Sequence, residues 1–267
     1  MLRTRIITAA VLIGLLLVVI LWLPPVATKI AMTVVVLAGA WEWSAFLKLR
    51  ALPGRVLYVC VVAVCLAALW QLTLAQPACV LLLVVALVWW VAALLWVVFA
   101  PRRAASWSAA LAGLLALAPA WVALVRLRID VPRGAQWLLF ALCLVWAADV
   151  GAYFAGRSFG RVRLAPLVSP GKTWEGVAGG LVLAAVVALW GSYWFGVPVL
   201  PFVPLCLGVV AFSVVGDLTE SLLKRFAGLK DSGTLFPGHG GVMDRIDSLT
   251  SALPLLLLGL VVLGVTR

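Results

Sequence analysis

The chain has 267 residues, of which 66% are hydrophobic and 11% charged, and its mean hydropathy is +1.23. A soluble domain uses about 45–50% apolar and about 25% charged residues to build and cover its core, so a soluble globular enzyme, a disordered chain and a coiled coil are excluded. The apolar stretches are continuous rather than alternating, which excludes a β-barrel and leaves an all-α, polytopic integral membrane protein.

In chain order, a short basic start over residues 1–5 leads into an apolar run over 6–23. No small-residue cleavage site follows it, so it reads as an uncleaved first span. Pro24-Pro25 makes the turn. Further spans are expected over 29–47, 56–74, 78–99, 107–125, 135–150, 177–195, 198–215 and 252–265, about nine transmembrane helices in all. The last is short, so its helix should begin earlier, near Asp244. Two polar segments interrupt the series: 151–173, rich in Gly and Arg, and 216–251. No repeat or linker divides the chain. Residues 1–267 read as one membrane-embedded domain, with N-terminal helices over 1–133 and catalytic helices and loops over 134–267.

Twenty Lys and Arg face nine acids, a net charge of +11. In a membrane protein this excess sets topology rather than binding nucleic acid. A cytoplasmic N-terminus places fifteen of the basic residues inside and five outside. Only the loop with Arg126, Arg128 and Arg133 runs against the rule. Both long polar segments then face the cytoplasm. The Trp residues gather near span ends, as an aromatic belt does. The five cysteines sit inside apolar runs without metal spacing and read as small buried residues. His239 is the single histidine, so a multi-His metal site within one chain is excluded.

Seven of the nine acids lie at or beyond position 149, and they fall in three groups. Asp149, Tyr153 and Gly156 are spaced to share one helix face. An acid at the end of an apolar span is costly unless it meets a cavity or a partner. A functional role is the preferred reading of Asp149, with a salt bridge to a loop Arg as the alternative. In Ser169-Pro170-Gly171-Lys172-Thr173, the Gly-Lys-Thr resembles the end of a P-loop. Position 166 is Pro where that motif needs Gly, and no strand is expected before it, so the P-loop is rejected. A lysine, the hydroxyls of Ser169 and Thr173 and backbone N–H groups at a helix start still suit phosphate. Glu175 would cap that helix, and Gly176 with Gly180 reads as a helix-packing pair.

The third group is the richest. Asp217, Glu220, Ser221 and Lys224 form one polar stripe if the eighth span continues as a helix. Arg225 and Lys230 add cations. Pro237-Gly238-His239-Gly240-Gly241 is too glycine-rich for regular structure and can bring backbone N–H groups to phosphate oxygens. Asp244 and Asp247 stand one turn apart, with Arg245 between them. Carboxylates from separate elements, with cations and a glycine loop between, are the chemistry of Mg²⁺-assisted phosphoryl or nucleotidyl transfer. An ion-coupled transporter is the rival reading, because intramembrane acids mark ion pathways. Here the acids sit at span ends, and the first five spans hold only Glu42.

Residues 221–247, from Ser221-Leu-Leu-Lys224-Arg225 through Lys230-Asp231 and Pro237-Gly-His239-Gly-Gly to Asp244-Arg245-Ile-Asp247, closely resemble the signature of the phosphatidate cytidylyltransferases, the CDP-diacylglycerol synthases. The segments at 216–221, 169–173 and 149–156 resemble that family too. Thr219, Phe236 and Met243 depart from its pattern at packing positions. Before residue 149 the resemblance is one of size and hydropathy only. The resemblance implies that CTP and phosphatidic acid give CDP-diacylglycerol and pyrophosphate, with Mg²⁺ required and a monovalent cation such as K⁺ beside it. It implies an all-helical homodimer in a bacterial inner membrane among its lipids. It implies Asp217 and Asp244 as metal ligands, with Glu220, Asp247 and Asp149 as further candidates. Another lipid phosphotransferase, the CDP-alcohol type, would carry an Asp-Gly-x-x-Ala-Arg motif, which the sequence lacks.

The residues support a mechanism by themselves. The phosphomonoester of phosphatidate has a second pKa of about 6, so at neutral pH it is a dianionic nucleophile and needs no strong base. The task is to hold two anions together, for which Lys172, Lys224, Arg225, Lys230 and Arg245 are suited. The expected catalytic set is Asp217, Asp244, Lys224, Arg245 and His239. The substrate-binding set is Asp149, Tyr153, Ser169, Lys172, Thr173, Ser221, Arg225, Lys230, Gly240 and Gly241. His239 has three open roles: phosphate donor, loop support or acid for the leaving pyrophosphate.

Overall fold

The computed structural model describes residues 2–236 and 240–266, with side chains from residue 7 onward. Among these run nine helices and one two-stranded sheet: α1 (Leu2–Leu21), α2 (Pro25–Phe46), α3 (Leu52–Leu72), α4 (Gln76–Phe99), α5 (Ser106–Ile129), α6 (Gly134–Phe159), β1 (Arg163–Ala165), β2 (Ser169–Thr173), α7 (Trp174–Phe195), α8 (Val199–Ala227) and α9 (Met243–Val262). Helices α2 to α9 are each long and apolar enough to cross a membrane, while the described apolar part of α1, Ile7–Leu21, is shorter. The protein is an integral membrane protein of nearly all-α architecture.

Local chemistry sets the span ends. α2, α3 and α4 carry proline in the first turn, where the missing N–H is not used. α8 stops at Gly228, whose φ of +74° suits glycine, and the Leu229 N–H closes the last turn on the Lys224 carbonyl at 2.8 Å. α5 is the axis of the bundle, with 67% of its span buried against 17% for α3 and 22% for α4. One core gathers Trp43, Phe46, Trp90 and Trp121 around α5. The other is built on Trp137, stacked on Phe195 with centroids 3.6 Å apart, and on Phe140 and Phe202.

Helices α6 and α7 touch backbone to backbone. A Cβ at Gly179 would collide with the Ala155 Cβ, and one at Gly180 would meet the Ala148 carbonyl. The packing expected of Gly176 and Gly180 therefore extends to Gly179, and to Gly151 across the contact.

Both polar segments begin as helix, as the spacing of Asp149 with Tyr153 and of Asp217 with Lys224 predicted. Residues 151–159 complete α6, and α8 runs twelve residues past 215, to Ala227. On α8, Asp217, Glu220, Ser221 and Lys224 recur at helical period, as their spacing predicted. α9 starts at Met243, as the short last span required. The rest of the first segment holds an unforeseen antiparallel hairpin, pairing Arg163 with Thr173 and Ala165 with Ser169. A strand thus does precede Gly171. The pair is antiparallel and Lys172 lies in extended β2, so the P-loop remains rejected. Thr173, not Glu175, caps α7, accepting from the Gly176 N–H at 3.1 Å. Glu175 instead accepts the Val162 N–H of the hairpin approach at 3.2 Å.

The basic loop that opposed the charge rule has a structural reason. Arg126 is buried, pairs with Asp130 at 2.9 Å and donates to the Thr73 carbonyl at 2.7 Å. Arg128 donates to Leu23 O, and Arg133 to Trp194 O. These arginines tie helix ends together.

Candidate active site

The C-terminal halves of α6 and α8, the start of α9 and strand β2 meet at one end of the bundle. A Cβ at Gly216 would collide with Ser251 Oγ and the Asp247 carbonyl. That close approach of α8 to α9 brings Asp217 and Asp247 within electrostatic reach of each other. Between α6, β2, α7 and α8 lies a cavity of about 460 Å³. Asp149, Tyr153, Arg157, Lys172 and Thr173 give it a polar side, and Val177, Val210 and Val214 an apolar one.

Two lysines link the acids. Lys172 Nζ meets Asp217 Oδ2 at 2.5 Å, with both side chains 29% exposed. Ser221 Oγ donates to the other Asp217 oxygen at 3.2 Å. Deeper, Lys224 Nζ bridges Glu220 Oε2 at 2.6 Å and Asp244 Oδ1 at 2.8 Å. Asp244 Oδ2 accepts hydrogen bonds from the N–H groups of Ser232 and Gly241, and Ser232 Oγ lies 2.9 Å away, its single proton shared between this oxygen and Glu42. The Gly241 N–H, expected to face phosphate, thus points at Asp244. Gly240 has a φ of +82°, and its carbonyl accepts the Phe236 N–H at 2.9 Å.

The structure therefore groups Asp149, Tyr153, Lys172 and Thr173 at the cavity and Asp217, Glu220, Ser221, Lys224, Asp244 and Asp247 on the adjoining faces of α8 and α9. Ser169 starts β2 and is not among the cavity-lining residues. Arg225 is exposed and donates to Leu229 O at 3.4 Å, and Lys230 is exposed in the loop. Arg245 is exposed and within electrostatic reach of Asp149. His239 lies outside the described residues. Sequence reasoning missed Arg157, which lines the cavity and donates to Tyr153 Oη at 2.7 Å. It stands four residues after Tyr153, a helical spacing that could have revealed it. It also missed Glu42 and Ser232, which are hydrogen-bonded at 2.8 Å across 190 positions and have no local signature.

The charges do not balance. Asp149, Asp217, Glu220, Asp244 and Asp247 form a continuous set of mutually repelling carboxylates. Lys172, Lys224 and Arg245 offset three of these five charges. Carboxylates outnumber cations here, and among the described residues Glu220 Oε1 is buried without a hydrogen-bond donor. This oxygen-only set fits a hard divalent cation. Among the described residues, no three His, Cys, Asp or Glu side chains close on one point as a ligand set. Water or phosphate oxygens would supply the remaining positions, as suits Mg²⁺.

The whole chain is also similar to known proteins. Residues 3–263 match the model of the cytidylyltransferase family. A phosphatidate cytidylyltransferase of Pseudomonas aeruginosa is 44% identical over 261 residues, covering 95% of each chain. One of Haemophilus influenzae is 40% identical and covers 95% of this chain and 96% of its own. One of Bacillus subtilis is 44% identical over 126 residues, 46% of each chain. The likeness thus reaches into the N-terminal helices, where the sequence alone offered only size and hydropathy. The chain belongs to the cytidylyltransferase family.

Proposed function

We propose that this protein is a phosphatidate cytidylyltransferase, which joins CTP and phosphatidic acid into CDP-diacylglycerol and pyrophosphate for phospholipid synthesis. The observation that carries this reading is the two-sided cavity at the end of the bundle. It offers Lys172, Thr173 and Arg157 to phosphates and a valine wall to lipid. An ion-coupled transporter explains neither the hairpin lysine nor the family.

The phosphatidate dianion attacks the α-phosphorus of CTP. A new P–O bond forms, the α–β bridge breaks, and pyrophosphate leaves with the electron pair. Lys172 and Arg157 draw the two anions into one cavity, and Arg245 offsets charge beside Asp149. Arg225 and Lys230, exposed near the same end, attract nucleotide before it docks. Tyr153 flanks the lipid headgroup. Of the three roles open to His239, phosphate contact is the one proposed. Asp217, Asp244, Glu220 and Asp247, with Asp149 beside them, would hold Mg²⁺, which supplies charge neutralisation at the triphosphate. A second, monovalent cation such as K⁺ rests on the family resemblance.

The site end also carries Lys48, Arg50, Arg55, Arg102, Arg103, Arg161 and Arg163 at the ends of α2–α6. This supports a cytoplasmic face in a bacterial inner membrane. A homodimer is part of the proposal, the exposed valines and leucines of α3 and α4 being surfaces for lipid or a second copy. Purified protein given cytidine-labelled CTP and phosphatidate vesicles should yield labelled lipid. Ion uptake into proteoliposomes without CTP, and no labelled lipid, would overturn the reading.

A further inference from the structure

Glu42 lies on α2, in the half of the chain without catalytic motifs, and is 7% exposed. Its carboxylate accepts three hydrogen bonds from the far end of the sequence. The Val242 N–H donates to Oε1 at 3.0 Å, and the Met243 N–H and Ser232 hydroxyl each donate to Oε2 at 2.8 Å. Val242 and Met243 open α9, whose own N-cap residue provides no side-chain cap. Glu42 supplies that cap from another helix, and its charge faces the positive end of the α9 dipole.

The loop closes tightly over this carboxylate. A Cβ at either Gly233 or Gly241 would collide with it. Among the described residues no ion pair neutralises Glu42. A buried carboxylate is stable there because donors surround it. Ser232 is shared: its Oγ lies 2.8 Å from Glu42 and 2.9 Å from Asp244, and it accepts the Asp244 N–H at 3.3 Å. A continuous polar chain thus runs from Glu42 through Ser232 and Asp244 to Lys224 and Glu220.

We propose that Glu42 is a positioning residue for nucleotidyl transfer. By capping α9 and holding Ser232, it fixes the Asp244 carboxylate and the backbone at 240–243, beside which metal and triphosphate would meet. The inference rests on the cytidylyltransferase reading. It differs from a general packing role, because the Glu42 carboxylate accepts hydrogen bonds from Ser232, Val242 and Met243.

The test uses the full chain in lipid nanodiscs, with Glu42→Ala, Glu42→Gln and Ser232→Ala. Tyr58→Phe serves as a control, removing a 3.3 Å bond to Ala110 within the N-terminal helices and away from the loop. Amide exchange is read without substrate. It should quicken about tenfold or more at 241–244 in Glu42→Ala, the effect of losing a hydrogen bond to a charged group. Turnover should fall as much, and the Mg²⁺ concentration for half activity should rise, while KM for phosphatidate stays unchanged. Glu42→Gln should fall between, since its amide keeps one acceptor oxygen. Glu42→Ala and Ser232→Ala should be less than additive. Unchanged exchange at 241–244 overturns the proposal, as does turnover that falls only in step with thermal stability on the line set by Tyr58→Phe. If the wild type makes no CDP-diacylglycerol, the functional reading fails, and exchange alone decides whether Glu42 holds the loop.

Discussion

Lys172 Nζ lies 2.5 Å from Asp217 Oδ2, and this ion pair joins the hairpin to α8 at the edge of the cavity. Both partners are partly exposed, so the pair contributes little to stability, about 0–1 kcal/mol. Its use is to hold a cation where phosphates arrive. Lys172→Met should leave thermal unfolding nearly unchanged and lower turnover by about 10²–10³, the range seen when one preorganised group is removed. Steady-state kinetics beside a melting curve would check this.

Lys224 is placed differently. It stands between Glu220 and Asp244, with side-chain exposures of 11%, 1% and 9%. Lys224→Met leaves two buried carboxylates facing each other and should cost about 3–5 kcal/mol. Adding Glu220→Gln should recover part of that loss. Size-exclusion profiles and thermal unfolding of the single and double variants measure both effects.

Asp217 and Asp244 should separate by symptom. Asp217→Asn removes charge at a half-exposed position and should abolish turnover while membrane protein level stays intact. Asp244→Asn also disturbs Oδ2, on which the N–H groups of Ser232 and Gly241 converge. It should abolish turnover and also expose the 231–242 loop to protease.

Much of this was legible in the sequence, for identifiable reasons. The helices follow from hydropathy, and the stripe Asp217–Glu220–Ser221–Lys224 from helical spacing on α8. The hairpin was not legible, because Ser169-Pro-Gly-Lys-Thr has none of the alternation that marks a strand. The pairing of Lys172 with Asp217 depends on how β2 folds onto α8, which spacing does not encode. Glu42 looked like a lone acid in an apolar span, since its partners lie 190 to 201 residues away. The basic residues 126–133 read as a topology exception, yet they serve as carbonyl clamps and a salt bridge.

Glycines give a stability test that leaves charges untouched. Gly179→Val should separate α6 from α7 and cost about 1–3 kcal/mol by overpacking. Gly171, with nothing within 4 Å of an added Cβ, should accept alanine without loss. Comparing the two melting temperatures checks the helix contact.

The proposed divalent cation would sit among these carboxylates, where Glu220 Oε1 has no donor among the described residues. Chelation with EDTA should therefore stop turnover, and added Mg²⁺ should restore it. Turnover that persists at full rate in excess chelator would remove the metal from the mechanism.

Nucleotidyl transfer to phosphatidate makes one demand that no transporter or other phosphotransferase shares. Purified protein in lipid, with phosphatidate and Mg²⁺, is given CTP labelled at either the α- or the γ-phosphate. The α label should move into the lipid phase only when phosphatidate is present, and the γ label should appear in water as pyrophosphate. Entry of the γ label into lipid, or retention of the α label in water with folded protein and metal present, would contradict the proposed reaction.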